Sequence, residues 1–174
     1  DADYPSFLHI EDESREIDYG YYHGYTLFDK KGIEPQYPFG YGLSYTTFEY
    51  AEPSIEKGKK ETAVTVTIRN TGNYPGKEVV QLYVSAPEGK LDKPVKELKA
   101  FAKTRELKPG ESETVTLTVR NEDLASFDES ISAWVTDGGT YQFHLGASSA
   151  DIRETLEADI TESSKKANAV LLRQ

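Results

Sequence analysis

Ser44, the three histidines and a run of acids near the start are the residues whose types invite chemistry, and each can be tested on its spacing. A serine nucleophile of the Gly-x-Ser-x-Gly kind needs both glycines, so that its hydroxyl can sit on a sharp strand-to-helix turn. Gly42-Leu43-Ser44-Tyr45-Thr46 has threonine in place of the second glycine, and Ser44 reads as a structural hydroxyl. Gly40 and Gly42 invite comparison with a loop that cradles a dinucleotide, whose third glycine follows three residues after the second. Tyr45 stands there instead. His9, His23 and His144 form no pair with metal-ligand spacing, and no metal or organic cofactor is expected. Glu11-Asp12-Glu13 offers oxygens to a hard cation but lacks the alternating Asp/Asn positions and turn glycine of a calcium loop. It reads as a solvated charge run in a loop over 1–16.

The elements that would position these residues fall into two parts. From Ile17 to Phe28 the chain packs Tyr19, Tyr21, Tyr22, Tyr25 and Phe28 around Gly20, His23 and Gly24. That density suits a strand or turn pressed against another layer, since each ring buries a large area and each hydroxyl needs only one partner. It also suits a wall on which a pyranose ring stacks, with Tyr22, His23 and Tyr25 as the substrate-proximal candidates and the His23 imidazole as donor to a sugar hydroxyl. Tyr37 to Phe48 then forms a structural seam. In it Pro38 keeps the approach extended, Gly40 and Gly42 supply tight or close backbone, and Phe39 and Tyr45 are expected to anchor it.

Beyond Phe48 the pattern has period two. Val64, Val66 and Ile68 alternate with Thr65, Thr67 and Arg69, and Val80, Leu82 and Val84 with Val79, Gln81 and Tyr83. Val115, Leu117 and Val119 alternate with threonines, and Tyr141, Phe143 and Leu145 with Gln142 and His144. Alternation predicts one buried face and one wet face. Turn signals break the pattern at Asn70-Thr71-Gly72, Pro87-Glu88-Gly89, Lys108-Pro109-Gly110 and Asp137-Gly138-Gly139. Seven strands follow, over about 50–58, 62–70, 78–86, 96–107, 112–120, 131–136 and 140–147, with a possible eighth over 152–159. Several short strands at this spacing predict an all-β, fibronectin type III-like or immunoglobulin-like sandwich. Trp134 is expected to fill its core or cover a sheet edge. Asn121-Glu122-Asp123-Leu124 is expected to be a single turn with Leu124 and Phe127 tucked beneath it.

With 174 residues the chain holds one ordinary core and a flank. A net charge of -10 argues against nucleic acid, whose phosphates need clustered Lys and Arg. Absent cysteines exclude disulfides, thiolate metal sites and a cysteine nucleophile. No apolar run reaches the length of about 18 residues that a spanning helix needs. With no methionine and Asp at position 1, the chain is expected to begin inside a longer polypeptide or after a processing cut.

Pro38-Phe39-Gly40-Tyr41-Gly42-Leu43-Ser44-Tyr45-Thr46, preceded by Gly24-Tyr25 and Lys31-Gly32, resembles the C-terminal part of glycoside hydrolase family 3 enzymes, the β-glucosidase and β-xylosidase group. Arg69-Asn70-Thr71-Gly72, Gly76 to Val84, Pro94 to Leu98, Leu107 to Glu111 and Gly139-Thr140-Tyr141 continue the likeness in order. Thr26 stands where many members carry Arg, and the usual Glu before the Gly-Tyr pair is missing, so that ion pair is not carried over. Glycosidases of this kind need two carboxyl groups across the scissile bond, and spacing singles out none of the 30 acidic residues here. The resemblance implies the reason: the nucleophilic aspartate lies on an N-terminal barrel and the acid/base glutamate in a middle α/β sandwich, both ahead of this part.

The expected organisation is thus a remnant of the α/β sandwich domain with its seam over 1–48, a fibronectin type III-like domain over 49–159, and a polar tail over 160–174. The implied role is a non-catalytic part of an exo-acting, retaining β-glycosidase, most simply a β-glucosidase. Its partners would be the parent's remaining catalytic domains, with carbohydrate bound in the parent only, and neither nucleic acid nor membrane. The alternative is a free-standing carbohydrate- or protein-binding sandwich, which an exposed row of coplanar aromatics on one sheet would favour.

Overall fold

The structure is a computed structural model that describes residues 20–167. The loop reading of 1–16, His9, the Glu11–Glu13 run, Tyr19 and the Ala169–Leu172 end of the tail lie outside the described residues. Within them, period-two alternation becomes two facing sheets. The first has the order β1-β2-β5, from Phe48–Lys57, Glu61–Asn70 and Ser112–Arg120. The second has the order β4-β3-β8-β9, from Glu97–Lys103, Val79–Ser85, Gly139–Gly146 and Ile152–Ile160. All pairings are antiparallel. The sheets close over Val64, Val66, Ile68, Leu117 and Val119 from one side and Val80, Leu82, Phe143 and Leu145 from the other. Each such side chain contributes about 1.5–3 kcal/mol by leaving water. On the wet face of the first sheet, Thr65 pairs with Thr116 and Thr67 with Thr114 through hydroxyl contacts of 3.0 and 3.2 Å.

Local chemistry places the breaks. Pro53 cannot donate to a ladder, and β1 bulges there: the register shifts between Ala51 and Ser54, with Glu52 at φ 50°. At the start of β8, the buried Tyr141 donates its hydroxyl to the carbonyl of Asp137 at 3.0 Å, the tyrosine-corner contact of such sandwiches. Burial pushes that phenol up to about 12.

Four expectations are corrected. Aromatic density around Tyr25 suggested a strand or turn, yet Gly24–Lys31 is an α-helix, α1. Gly32 ends it at φ 63°, and the amides of Gly32 and Ile33 satisfy the carbonyls of Asp29 and Phe28. Gln81 and Tyr83, expected on a wet face, are buried, because α1 and the seam cover the outer side of β3. A third sheet, β10-β7-β6, is built from Ser163–Lys166, Ala133–Thr136 and Ser126–Asp128, so part of the expected tail is paired strand. The turn at Asn121–Leu124 is a 3₁₀ turn that buries Leu124, whereas Phe127 is 41% exposed beside Trp134, itself 49% exposed.

Candidate functional site

The seam is built on a type II turn. The amide of Tyr41 donates to the carbonyl of Pro38 at 3.0 Å, and Gly40 has φ 81° at the position where that turn demands positive φ. Strand β3 grips it. Gln81 Nε2 donates to the carbonyls of Gly40 and Ala147 at 3.1 and 2.7 Å, and Tyr83 orients that amide by donating to Gln81 Oε1 at 2.6 Å. The amide of Ser149 adds a 2.8 Å bond to the carbonyl of Phe39. A Cβ at Gly40 would collide with the Gln81 amide, whereas Gly42 has open space and an ordinary φ, so this fold makes no demand for glycine there.

Thr46, not Tyr45, anchors the seam's far end. It is buried and donates to Asn70 Oδ1 at 2.6 Å, and any side chain at Gly72 or Gly76 would strike it. The wholly buried Asn70 also accepts from the amide of Gly72 at 3.0 Å and donates to the carbonyls of Tyr74 and Leu107, both at 2.8 Å. Tyr45 is 96% exposed because it lies one residue out of phase with Thr46, Phe48 and Tyr50, which face inward.

Beside the seam lies an open cleft of about 670 Å³, lined by Tyr41, Ser44, Glu78, Asp151 and Arg153 among others. Arg153 bridges it as a strut. Its Nε and Nη2 donate to Asp151 at 3.1 and 2.9 Å, its Nη1 to the carbonyl of Phe48 at 2.7 Å, and its guanidinium lies 5.1 Å from the centre of the Tyr50 ring. Asp151 is held below the usual carboxylate range by that guanidinium. Glu78 accepts from the Tyr50 hydroxyl at 3.0 Å, and burial raises the pKa of both groups. The arrangement holds a carboxyl tied to a tyrosine hydroxyl and an ion pair tied to the backbone, which suits bracing.

The other suggestive pair is Ser85 and His144, 2.9 Å apart. Ser85 donates its only hydroxyl proton to the carbonyl of Val95 at 2.6 Å, so it accepts from His144 Nε2, while His144 Nδ1 meets Thr155 Oγ1 at 3.0 Å. Burial and then Lys96 lower the histidine's pKa, which fits a neutral ring. This serine has no proton to give up. Among the described residues no group of three or more His, Cys, Asp or Glu is placed to hold a metal ion.

None of the three substrate-proximal candidates lines the cleft beside the seam. Tyr25 stacks on Phe39 at 4.7 Å, meets the edge of Tyr83 at 6.0 Å, and its hydroxyl accepts from the amide of Leu98 at 2.8 Å. Tyr22 carries the ammonium of Lys30 3.7 Å above its ring. His23 is exposed at the start of α1, where its carbonyl accepts from Thr26 at 2.8 Å. Further ties hold α1 down: Lys96 to Asp29 at 2.7 Å and Lys30 to Asp92 at 2.5 Å. Sequence reasoning missed Asn70, Gln81 and the Glu78-Tyr50-Arg153 group. Asn70 alone carried a signal, as a polar residue closing an apolar alternation.

Residues 78–149 match the fibronectin type III-like domain family. The chain is 45% identical over 175 residues to β-glucosidase A of Butyrivibrio fibrisolvens, a match covering 87% of this chain and 21% of that protein. It superposes on β-glucosidase 3B from Thermotoga neapolitana, solved in complex with α-D-glucose, with a TM-score of 0.79 and 47% identity over 82% of this chain and 20% of that one. A glycoside hydrolase family 3 β-glucosidase from Bifidobacterium adolescentis matches 98% of this chain and 26% of its own, with a TM-score of 0.84 and 31% identity. The chain belongs to the C-terminal region of glycoside hydrolase family 3 β-glucosidases. This family 3 chain spans about a fifth of the length of the curated relatives it matches. Its seam presents Tyr37, Phe39, Tyr41, Leu43 and Tyr45 to solvent, the last two 90% and 96% exposed.

Proposed function

We propose that this chain is the non-catalytic, bracing part of a family 3 exo-acting β-glycosidase that hydrolyses terminal β-D-glucosides with retention. Residues 1–48 then belong with the α/β sandwich domain and the seam, and 49–159 with the fibronectin type III-like domain. Catalytic carboxylates are supplied by the rest of the parent, and carbohydrate binds there. The observation that carries this reading is the seam's row of exposed apolar side chains, held on a backbone rigidly fixed by Gln81, Tyr83 and Asn70. Exposed apolar patches of this kind mark surfaces that another body covers.

Leu43→Ser with Tyr45→Ser, made in the full-length parent and in this chain, tests the reading. The parent should lose thermal stability while its KM for an aryl β-glucoside stays unchanged, and the isolated chain should unfold at its usual temperature. A KM raised tenfold without loss of stability would place the seam at the sugar and overturn the bracing role. The purified chain should hydrolyse no aryl β-glucoside, and turnover that survives a control for contaminating enzyme would show it to be catalytic.

A further inference from the structure

The third sheet buries Ala133, Asp128 and Thr136 outside the main core cluster, and it displays two aromatic rings. Phe127 and Trp134 sit opposite one another in the β6–β7 register, their centroids 5.3 Å apart and both rings half exposed. Trp134 and Thr136 share one face of β7, and in β10 Lys165 and Ser163 are their register partners. Between this face and the strand β4 with the 3₁₀ turn lies an open trough of about 770 Å³, within the rough 300–1,000 Å³ of small-molecule sites.

We infer that this trough binds a neutral pyranose unit, stacked on Trp134. Its charges cancel, with Lys99, Lys165 and Lys166 set against Glu97, Glu122 and Asp123. A phosphate or an acidic or basic peptide would meet as much repulsion as attraction, whereas a polyhydroxylated ring finds both donors and acceptors along its edge. A pyranose also has an apolar face of C–H groups, which packs on a half-exposed indole and gains from its negative π face. One wall group lacks a partner: Thr136 is 1% exposed and its hydroxyl makes no hydrogen bond. A buried hydroxyl without a partner is costly, and a sugar hydroxyl brought against that wall can supply one. The inference goes beyond the bracing role and does not depend on it, since it concerns this chain by itself.

Trp134 is the only tryptophan, so indole emission reports on this trough alone. Methyl β-D-glucoside, cellobiose and cellopentaose are titrated into the purified chain, with sorbitol as the acyclic control and calorimetry as a second readout. A saturable emission change at millimolar sugar, absent with sorbitol, is expected. By calorimetry Trp134→Ala should abolish binding, and Thr136→Val should weaken it roughly tenfold, about one ordinary hydrogen bond. Thr136→Val keeps shape and removes only an unpaired hydroxyl, so an unchanged circular dichroism spectrum and a melting temperature that does not fall confirm that its fold is intact. No saturable response to any of the sugars overturns the inference. So does binding that survives Trp134→Ala, or emission that shifts only when residues 168–174 are removed.

Discussion

Asn70 satisfies all four hydrogen bonds of its amide with partners on three separate segments, and its bonds to Thr46 and Leu107 are fully buried. Asn70→Ala strands a hydroxyl, an amide and two carbonyls, so it should cost about 2–4 kcal/mol in urea unfolding. Asn70→Asp should also destabilise, because it turns a donor facing two carbonyls into an acceptor. His144 gives a pH signature. Its folded pKa lies below the ordinary value near 6.5, so the unfolded chain binds the proton more readily. The stability associated with the neutral ring is complete above about pH 6.5 and is lost as pH falls through the depressed folded value. Unfolding free energies of the native chain and of His144→Gln should therefore keep a constant difference above that pH and converge below it. A pH-independent difference would show that folding leaves the ring's affinity for a proton unchanged.

At the scale of the element, β3 separates what was legible from what was not. Its apolar alternation correctly gave a strand with Val80, Leu82 and Val84 inward. The burial of Gln81 and Tyr83 was illegible, because the cover comes from α1 and the seam, far away in sequence. Tyr45 was misplaced for a related reason: composition marks an aromatic as an anchor, but phase decides which way it points. Helix α1 was hidden by its short length and the aromatics in and before it, although Gly32 was correctly placed at a turn. These assignments predict magnitudes for the isolated chain. Gly40→Val forces a β-branched residue to φ 81° against Gln81, and should cost about 1–3 kcal/mol from strain with the steric conflict added. Phe39→Ala removes a half-exposed ring stacked on Tyr25 and should cost about 1–2 kcal/mol. A loss of about 3–5 kcal/mol, proper to a fully buried ring, would mean that the ring is enclosed in solution.

Across the whole molecule, the sandwich was readable because four alternating segments, at 64–68, 80–84, 115–119 and 141–145, and their Gly and Pro breaks repeat one message, whereas the strand expected over 131–136 went to the third sheet. The third sheet was not, since Ser126–Asp128 and Ser163–Lys166 are short, polar and paired only through β7. The same global arrangement has a consequence for synthesis. The turn at Phe39 and Gly40 leaves the ribosome before Gln81, Ala147 and Ser149, whose groups grip it. At about 5–20 residues per second, roughly 5–20 s separate the emergence of Phe39 from that of Ser149. During that interval the seam lacks the sandwich surface on which it comes to lie, and its exposed rings are open to a chaperone's grip.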